Sequence, residues 1–238
     1  MVVPEIDIEN RMLEINEKGW IKTLRKGDTG IGKTLEEELG ITENNISGYD
    51  FQYNGKFYEL KSQRALTSSR ITLFTKEGEK GRYKDEFLIK KFGYLDETKR
   101  LALKITMTSL DYNNQGFKVE VDNELRKINI VHNVEGLIWY YPFSLIRVAM
   151  NEKLANNLCL VFADSKNENC NEFFHYNKAF LLSNLSEEGF AELIREGKLV
   201  IEFRMHLKTT GFPRNHGTAF RLSEIYMDKL YKNNEVIM

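Results

Sequence analysis

Asp50 and the triplet Glu59-Leu60-Lys61 are the residues of this chain whose types and spacing could do chemistry. Between them lies Asn54-Gly55, flanked by the runs GYDFQY and KFYELK. An Asn-Gly pair between two alternating runs signals a two-residue hairpin turn, because both residues tolerate positive φ. That turn sets Tyr53 against Lys56, Gln52 against Phe57, Phe51 against Tyr58 and Asp50 against Glu59. Opposed residues on such a ribbon have Cβ atoms about 4.5–5.5 Å apart, so two carboxylates would meet, an unfavourable pairing unless a cation intervenes. Lys61 projects from the same face as Glu59, and Leu60 from the other, toward a core. Two carboxylates, the Leu60 carbonyl and waters form a hard-oxygen donor set suited to Mg2+. Such an ion polarises a phosphodiester and acidifies water for in-line attack. A lysine beside it orients that water or neutralises charge building on the phosphate.

Asp-x8-Glu-Leu-Lys on a hairpin is the nuclease pattern written PD-(D/E)xK, with Tyr49 where the proline would stand. The same residues also fit a solvated edge hairpin with an incidental Glu–Lys pair. A third carboxylate, Glu36, lies on a short helix fourteen positions before Asp50. It could join the same ion or a second one, or face solvent within the acidic run Glu36-Glu37-Glu38.

Net charge is −1, which exerts no global pull on a polyanion, but the charge is unevenly spread. Residues 61–104 hold twelve Lys/Arg against six Asp/Glu. Residues 204–221 hold Arg204, Lys208, Arg214 and Arg221, with His206 and His216 and no acid. Basic patches on a neutral chain suit a protein that holds nucleic acid on one face. Gly211-Phe212-Pro213 forces a turn that exposes Arg214 and His216. Lys26, Arg64 and Arg70 are candidate phosphate contacts.

A competing motif is Gly27-x4-Gly32-Lys33-Thr34, which matches a nucleotide-binding phosphate loop, with Leu158–Asp164 imitating its acidic strand. The residues before Gly27, GWIKTLRK, do not read as the buried parallel strand such a loop follows.

These candidates need elements to position them, and the patterning supplies a mixed α/β set. Helices are expected over Ile6–Lys18, over TLEEELG ending at Gly40, over YKDEFLIKK closed by Gly93, over PFSLIRVAM with Pro142 in its first turn, and over SEEGFAELIREG from a Ser186 cap. Strands are expected at RITLFTK, LALKITMTSL, GFKVEVD, KINIVHN, GLIWYY, NLCLVFADS and KLVIEFRMHLK, and a closing helix at LSEIYMDKLYKN. Cys159 reads as buried packing, and Cys159 with Cys170 forms no zinc pattern. His132 and His175 read as satisfied core or surface histidines. No membrane-length apolar run or signal peptide occurs, so a cytoplasmic location is expected.

The strings RKGDTGIGKTLEEELGI, D50…E59-L-K61 and RNHGTAFRL together resemble the MvaI/BcnI type II restriction endonucleases, which are similar in turn to the MutH nicking enzyme of mismatch repair. The likeness runs over nearly the whole chain. It implies a bacterial restriction-modification endonuclease with a MutH-like, two-lobed, PD-(D/E)xK fold gripping duplex DNA in a cleft. The catalytic lobe would span roughly residues 1–110 with part of the C-terminal half, and the recognition lobe roughly 111–238. It implies an Mg2+-dependent monomer with Asp50, Glu59, Lys61 and Glu36 in the active site. Arg204, His206, Lys208, Arg214, His216 and Arg221 would read a CC-x-GG-like site, which a cognate DNA methyltransferase protects. The family pattern includes a form beginning His-x-His-Gly; this chain has Arg214 at the first of those positions. A MutH-like nicking activity is the alternative within this reading.

Overall fold

Asp7 opens the first helix by accepting a hydrogen bond from the Asn10 amide at 3.3 Å. The computed structural model describes residues 3–41, 49–65, 70–80 and 83–238. In chain order its first elements are α1 (Ile8–Glu17), β1 (Ile21–Lys22), α2 (Gly30–Leu39), β2 (Phe51–Tyr53), β3 (Lys56–Arg64), β4 (Arg70–Thr75), β5 (Glu79–Lys80) and α3 (Asp85–Phe92). Then come β6 (Tyr94–Leu95), β7 (Leu101–Met107), β8 (Phe117–Asp122), β9 (Lys127–His132), β10 (Gly136–Pro142) and α4 (Phe143–Lys153). The last third holds β11 (Asn157–Glu168), β12 (Asn171–Leu185), α5 (Glu187–Arg195), β13 (Leu199–Leu207), β14 (Pro213–Asn215), β15 (Ala219–Ser223), a 3-10 helix (Glu224–Leu230) and β16 (Tyr231–Val236). No helix among the described residues is long and apolar enough to cross a membrane.

The chain divides into two units by its internal contacts: residues 1–68, 155–185 and 231–238 form one, and 69–154 with 186–230 the other. A strand far along the chain completes each sheet, and that long-range pairing leaves no local composition signal.

In the first unit the strands run β1-β12-β11-β3-β2, with β16 on the edge of β12. β3 and β11 are parallel, with Leu60 beside Cys159, whereas β11 and β12 form a long antiparallel hairpin. Alternation then sorts the side chains. Tyr58, Cys159, Val161, Ala163, Ala179 and Leu181 face a buried core, with Leu60 packed against it. α1 and α2 add Ile8, Met12, Ile15, Ile31, Leu35 and Leu39 to that core. Glu59, Lys61 and Gln63 therefore occupy the opposite face of β3. α2 ends where expected: Gly40 is left-handed (φ 72°), and the Ile41 amide bonds the Glu36 carbonyl at 2.8 Å.

The second unit holds two sheets, β4-β15-β13-β7-β6 with β14 on β13, and β5-β10-β9-β8. Trp139 against Phe203 (4.8 Å) and Phe74 against Phe220 (4.8 Å) knit its aromatic core. The Ser186 hydroxyl caps α5 by accepting from the Gly189 amide at 3.0 Å.

Three local expectations need correction. The closing helix at residues 222–233 is instead the short 3-10 helix followed by β16. Met227 and Leu230 are its buried residues, and three-residue spacing fits a 3-10 face. The segment beyond them pairs with β12, and Tyr231 anchors it through the Ala155 carbonyl at 2.9 Å. Pro142 caps α4 with extended ψ (144°) rather than entering its first turn. The strand-like run around His175 extends to a fifteen-residue strand, β12; a register shift at the Phe162/Ala163 step of its pairing with β11 breaks the alternation that would reveal its full length.

Candidate active site and nucleic-acid interface

The hairpin forms as the Asn-Gly pair dictates. Asn54 and Gly55 both have positive φ (49° and 71°), and the register pairs Phe51 with Tyr58, Gln52 with Phe57 and Tyr53 with Lys56. Gly48, at the start of the expected ribbon, lies outside the described residues. Asp50 continues past β2: its amide bonds the Tyr58 carbonyl at 2.8 Å, and its Oδ2 accepts from the Leu60 amide at 2.6 Å. The Lys61 ammonium lies 2.5 Å from Glu59 Oε1. Asp50 thus lies against the middle of β3, where Glu59, the Leu60 backbone and Lys61 follow one another.

Electrostatics reports the same convergence. The Asp50 carboxyl is held above its usual value of 3.8, first by burial and then by the charge of Glu59; the Leu60 amide and Lys61 pull it down. A half-buried carboxylate beside another carboxylate has an unmet need for positive charge.

Glu36 does not join them in a three-acid cluster. It sits 3.6 Å from Lys33, and among the described residues no group of three or more His, Cys, Asp or Glu is disposed to hold a metal.

The basic segment of the second unit is organised by β13. Glu202, Arg204 and His206 alternate with buried Phe203 and Met205 along one strand. The register sets Thr106 beside Glu202, Lys104 beside Arg204, and Arg214 beside His206. Gly211, at φ 82°, turns the chain so that β14 folds back on β13 with Arg214 and His216 exposed. His216 stacks on His206 with ring centroids 5.4 Å apart. Arg204 is steadied by the carbonyls of Gly217 and His216, both at 3.3 Å. A concavity of about 530 Å³ opens here, lined by Lys104, Thr106, Glu202, Arg204 and His216 among others. Burial lowers the pKa of both histidines; next come Arg100 for His206 and Arg214 for His216, so each ring favours its neutral form.

Glu202 escaped the sequence reading because it stands just outside the acid-free stretch. The alternation Glu202-x-Arg204-x-His206 within a strand would have placed it on the same face. Its carboxylate accepts from Arg221 Nη1 at 3.0 and 3.3 Å, and Arg221 Nη2 also donates to the Arg70 carbonyl at 2.6 Å. Arg70, Lys208 and Lys26 are exposed. Arg64 is not a free cation: it pairs with Glu172 at 2.8 and 3.0 Å and stacks over Phe174.

The profile of the MvaI/BcnI restriction endonuclease family matches residues 9–231. The chain belongs to this family. A solved complex of restriction endonuclease MvaI with its cognate DNA substrate is similar at 26% identity and TM-score 0.63, covering 97% of each chain. MvaI in the absence of DNA is similar at 24% identity and TM-score 0.65, covering 97% of this chain and 96% of that one. A comparison with curated proteins gives no match. The protein is a restriction endonuclease acting on DNA, with the mixed α/β fold of these enzymes.

For an MvaI/BcnI endonuclease the phosphate-loop motif needs another account, and the structure gives one. Gly27–Thr34 leads into α2 after a two-residue strand that is antiparallel to β12. The buried Thr34 hydroxyl, which a nucleotide-binding loop would offer to a metal, donates to the Gly30 carbonyl at 2.8 Å and accepts from the Leu24 amide at 3.1 Å. The string is a loop-to-helix junction whose polar groups serve the fold.

His132 is likewise structural. Its Nδ1 accepts from the amides of Val134 and Glu135, so Nε2 carries the proton and donates to the Gln115 carbonyl at 2.9 Å. Both cysteines are free, Cys159 buried and Cys170 exposed, and burial pushes the Cys159 thiol up.

Proposed function

We propose that this family member is an Mg2+-dependent endonuclease that hydrolyses both strands of duplex DNA as a monomer. Its target would be a short, pseudopalindromic, CC-x-GG-like site, and a cognate methyltransferase would protect host DNA. The observation that carries the active-site assignment is the convergence of Asp50, Glu59, the Leu60 backbone and Lys61 on one strand face.

The donor set fits a hard divalent ion. Asp50 and Glu59 supply carboxylates whose mutual repulsion a cation would relieve, and Leu60 supplies a main-chain carbonyl. A bound Mg2+ would contribute charge neutralisation at the phosphate and a lowered water pKa. The chain's own residues do the rest. The Leu60 amide fixes the Asp50 carboxylate, so its orientation is set before substrate arrives. Lys61, exposed and beside Glu59, offers N–H donors to a phosphate oxygen or to the attacking water. Glu36, paired with Lys33 on the neighbouring helix, takes a supporting electrostatic role.

Recognition is assigned to the β13–β14 face. Arg204, Arg214 and Arg221 suit the N7 and O6 acceptors of guanine, and neutral His206 and His216 can each donate one bond and accept another. Lys208, Lys26, Arg64 and Arg70 are assigned to the phosphate backbone, Arg64 while retaining Glu172.

The test is incubation of the protein with plasmid DNA and Mg2+, followed by sequencing of the fragment ends. Linear products ending at one short motif, lost in Asp50→Ala and Glu59→Ala, are expected. Nicked circles alone would move the activity to strand-specific cleavage. Undiminished cleavage by Asp50→Ala would end the assignment of the site.

A further inference from the structure

The register of the first unit's sheet places side chains beyond the hairpin on the same face as Glu59 and Lys61. Glu59 lies beside Leu158 and Leu182, Lys61 beside Leu160 and Phe180, and Gln63 beside Phe162 and Lys178. Each row crosses β3, β11 and β12 in turn, on the side opposite the core formed with α1 and α2; Leu158, Leu160 and Leu182 on these rows are also buried, and Lys61 and Lys178 are exposed at opposite margins of the face. With strands about 4.8 Å apart and about 3.3 Å of rise per residue, the Lys61 and Lys178 backbones lie about 12 Å apart, on a diagonal.

Lys178 is exposed, although its two neighbours on this face are buried rings. Its ammonium lies 4.8 Å from the Phe180 centroid and 5.8 Å from that of Phe162. Aromatic faces attract a cation without cancelling its charge. Among the described residues no carboxylate pairs with it. Asp164, two residues beyond Phe162, accepts instead from Asn177 Nδ2 at 2.6 Å. Beside Phe162 in the same row, Gln63 is only 3% exposed, and among the described residues its Nε2 has no acceptor. Among the described residues, this row therefore holds a positioned cation without a counter-ion and a buried amide donor without a partner.

We infer that Lys178 is a contact to the DNA phosphate backbone, placed on the face that carries Lys61 and serving to position the strand being cut. The inference rests on the proposed active site, since it takes Lys61 to face the reacting phosphate. The rings hold the ammonium at the edge of the face, which limits the ordering needed when a phosphate arrives. A contact of this kind is blind to sequence.

The test measures binding of a short labelled duplex by fluorescence anisotropy at several salt concentrations, without divalent ion. Wild type is compared with Lys178→Ala and Lys178→Arg, using both a cleavable duplex and one of unrelated sequence. For Lys178→Ala the slope of log K against log salt should fall in magnitude by about 0.9, the value for one lost phosphate contact, on both duplexes. In cleavage assays KM should rise while kcat is nearly kept, and Lys178→Arg should restore both slope and KM. An unchanged slope, or a loss confined to one duplex, overturns the inference. An unchanged melting temperature in Lys178→Ala excludes a folding defect; a lower one overturns the contact unless Lys178→Arg recovers the slope. Failure of the active site itself would show separately, as cleavage persisting in Asp50→Ala whatever the salt slope.

Discussion

Asp50→Asn should leave the ion-free protein as stable as wild type or more so, and invert that order once Mg2+ is added. The Glu59 charge raises the Asp50 pKa; taking the spacing of opposed ribbon residues, about 5 Å, Coulomb's law gives about 3 kcal/mol of repulsion at an effective dielectric of about 20, and about 1 kcal/mol in water. Glu59's side chain is 31% exposed and touches Lys61, so the working value lies toward the lower end. Asparagine keeps the shape and can still accept from the Leu60 amide, but exchanging a charged for a neutral acceptor costs about 1 kcal/mol. The net effect lies between about zero and 2 kcal/mol of stabilisation, or up to roughly 8 °C in melting temperature for a chain of this length.

The pH dependence carries the sign. A carboxyl whose folded pKa is raised binds more protons folded than unfolded, so stability falls as pH rises from its ordinary value, 3.8, through the raised one. The variant's advantage should therefore be full at neutral pH and vanish in acid. Added Mg2+ reverses the ranking: at about a hundredfold excess over Kd, wild type gains about 2.7 kcal/mol, and a variant lacking one carboxylate gains much less. Differential scanning fluorimetry across pH, with and without the ion, reads both effects. A variant less stable than wild type in the absence of ion, or equal ion-induced shifts in the two proteins, would refute the picture of two carboxylates awaiting one cation.

Lys61→Ala should retain duplex affinity in a binding assay while single-turnover cleavage falls by about 10²-fold or more, the loss expected for a donor to developing phosphate charge. His216→Ala should cost about 1–3 kcal/mol of discrimination between target and single-mismatch duplexes while non-specific affinity holds, as competition binding would show. Arg221→Ala removes the partner that Glu202 uses, and Arg221→Ala/Glu202→Gln should recover stability but not site preference. Ser186→Ala should lower unfolding free energy in denaturant by about 1 kcal/mol through loss of the α5 cap, leaving cleavage at the permissive temperature intact.

What the sequence made legible was local. Asn54-Gly55 fixes its turn through backbone conformations available within two residues, and from it follows the register from Tyr53–Lys56 to Phe51–Tyr58, beyond which the Asp50 amide bonds the Tyr58 carbonyl. Gly40 and Ser186 mark helix ends for similarly local reasons. The less legible features depend on distant partners. That β3 lies parallel to β11 is decided by chain a hundred residues away, and β16 is a strand only because β12 offers it an edge. Glu36 shows the same limit within the candidate site. Its place on α2 could be read from periodicity, but whether the helix delivers it to Asp50 depends on packing, and the structure gives it Lys33 instead.

The chemistry of the hairpin also depends on the residue that does none. Leu60 packs against the core of its unit, beside buried Cys159 on the parallel strand. Because side chains alternate with a period of two, a one-residue slip of β3 would turn Leu60 outward and drive Glu59 and Lys61 into that core. Burying an unpaired carboxylate or ammonium among apolar groups costs far more than any local gain from repairing the strand. The core therefore enforces the register in which the acid and the amine face outward together. The same amide–carbonyl ladder puts the Leu60 N–H where it can grip Asp50. Apolar packing on one side of a single strand is what sets the positions of the charges on the other.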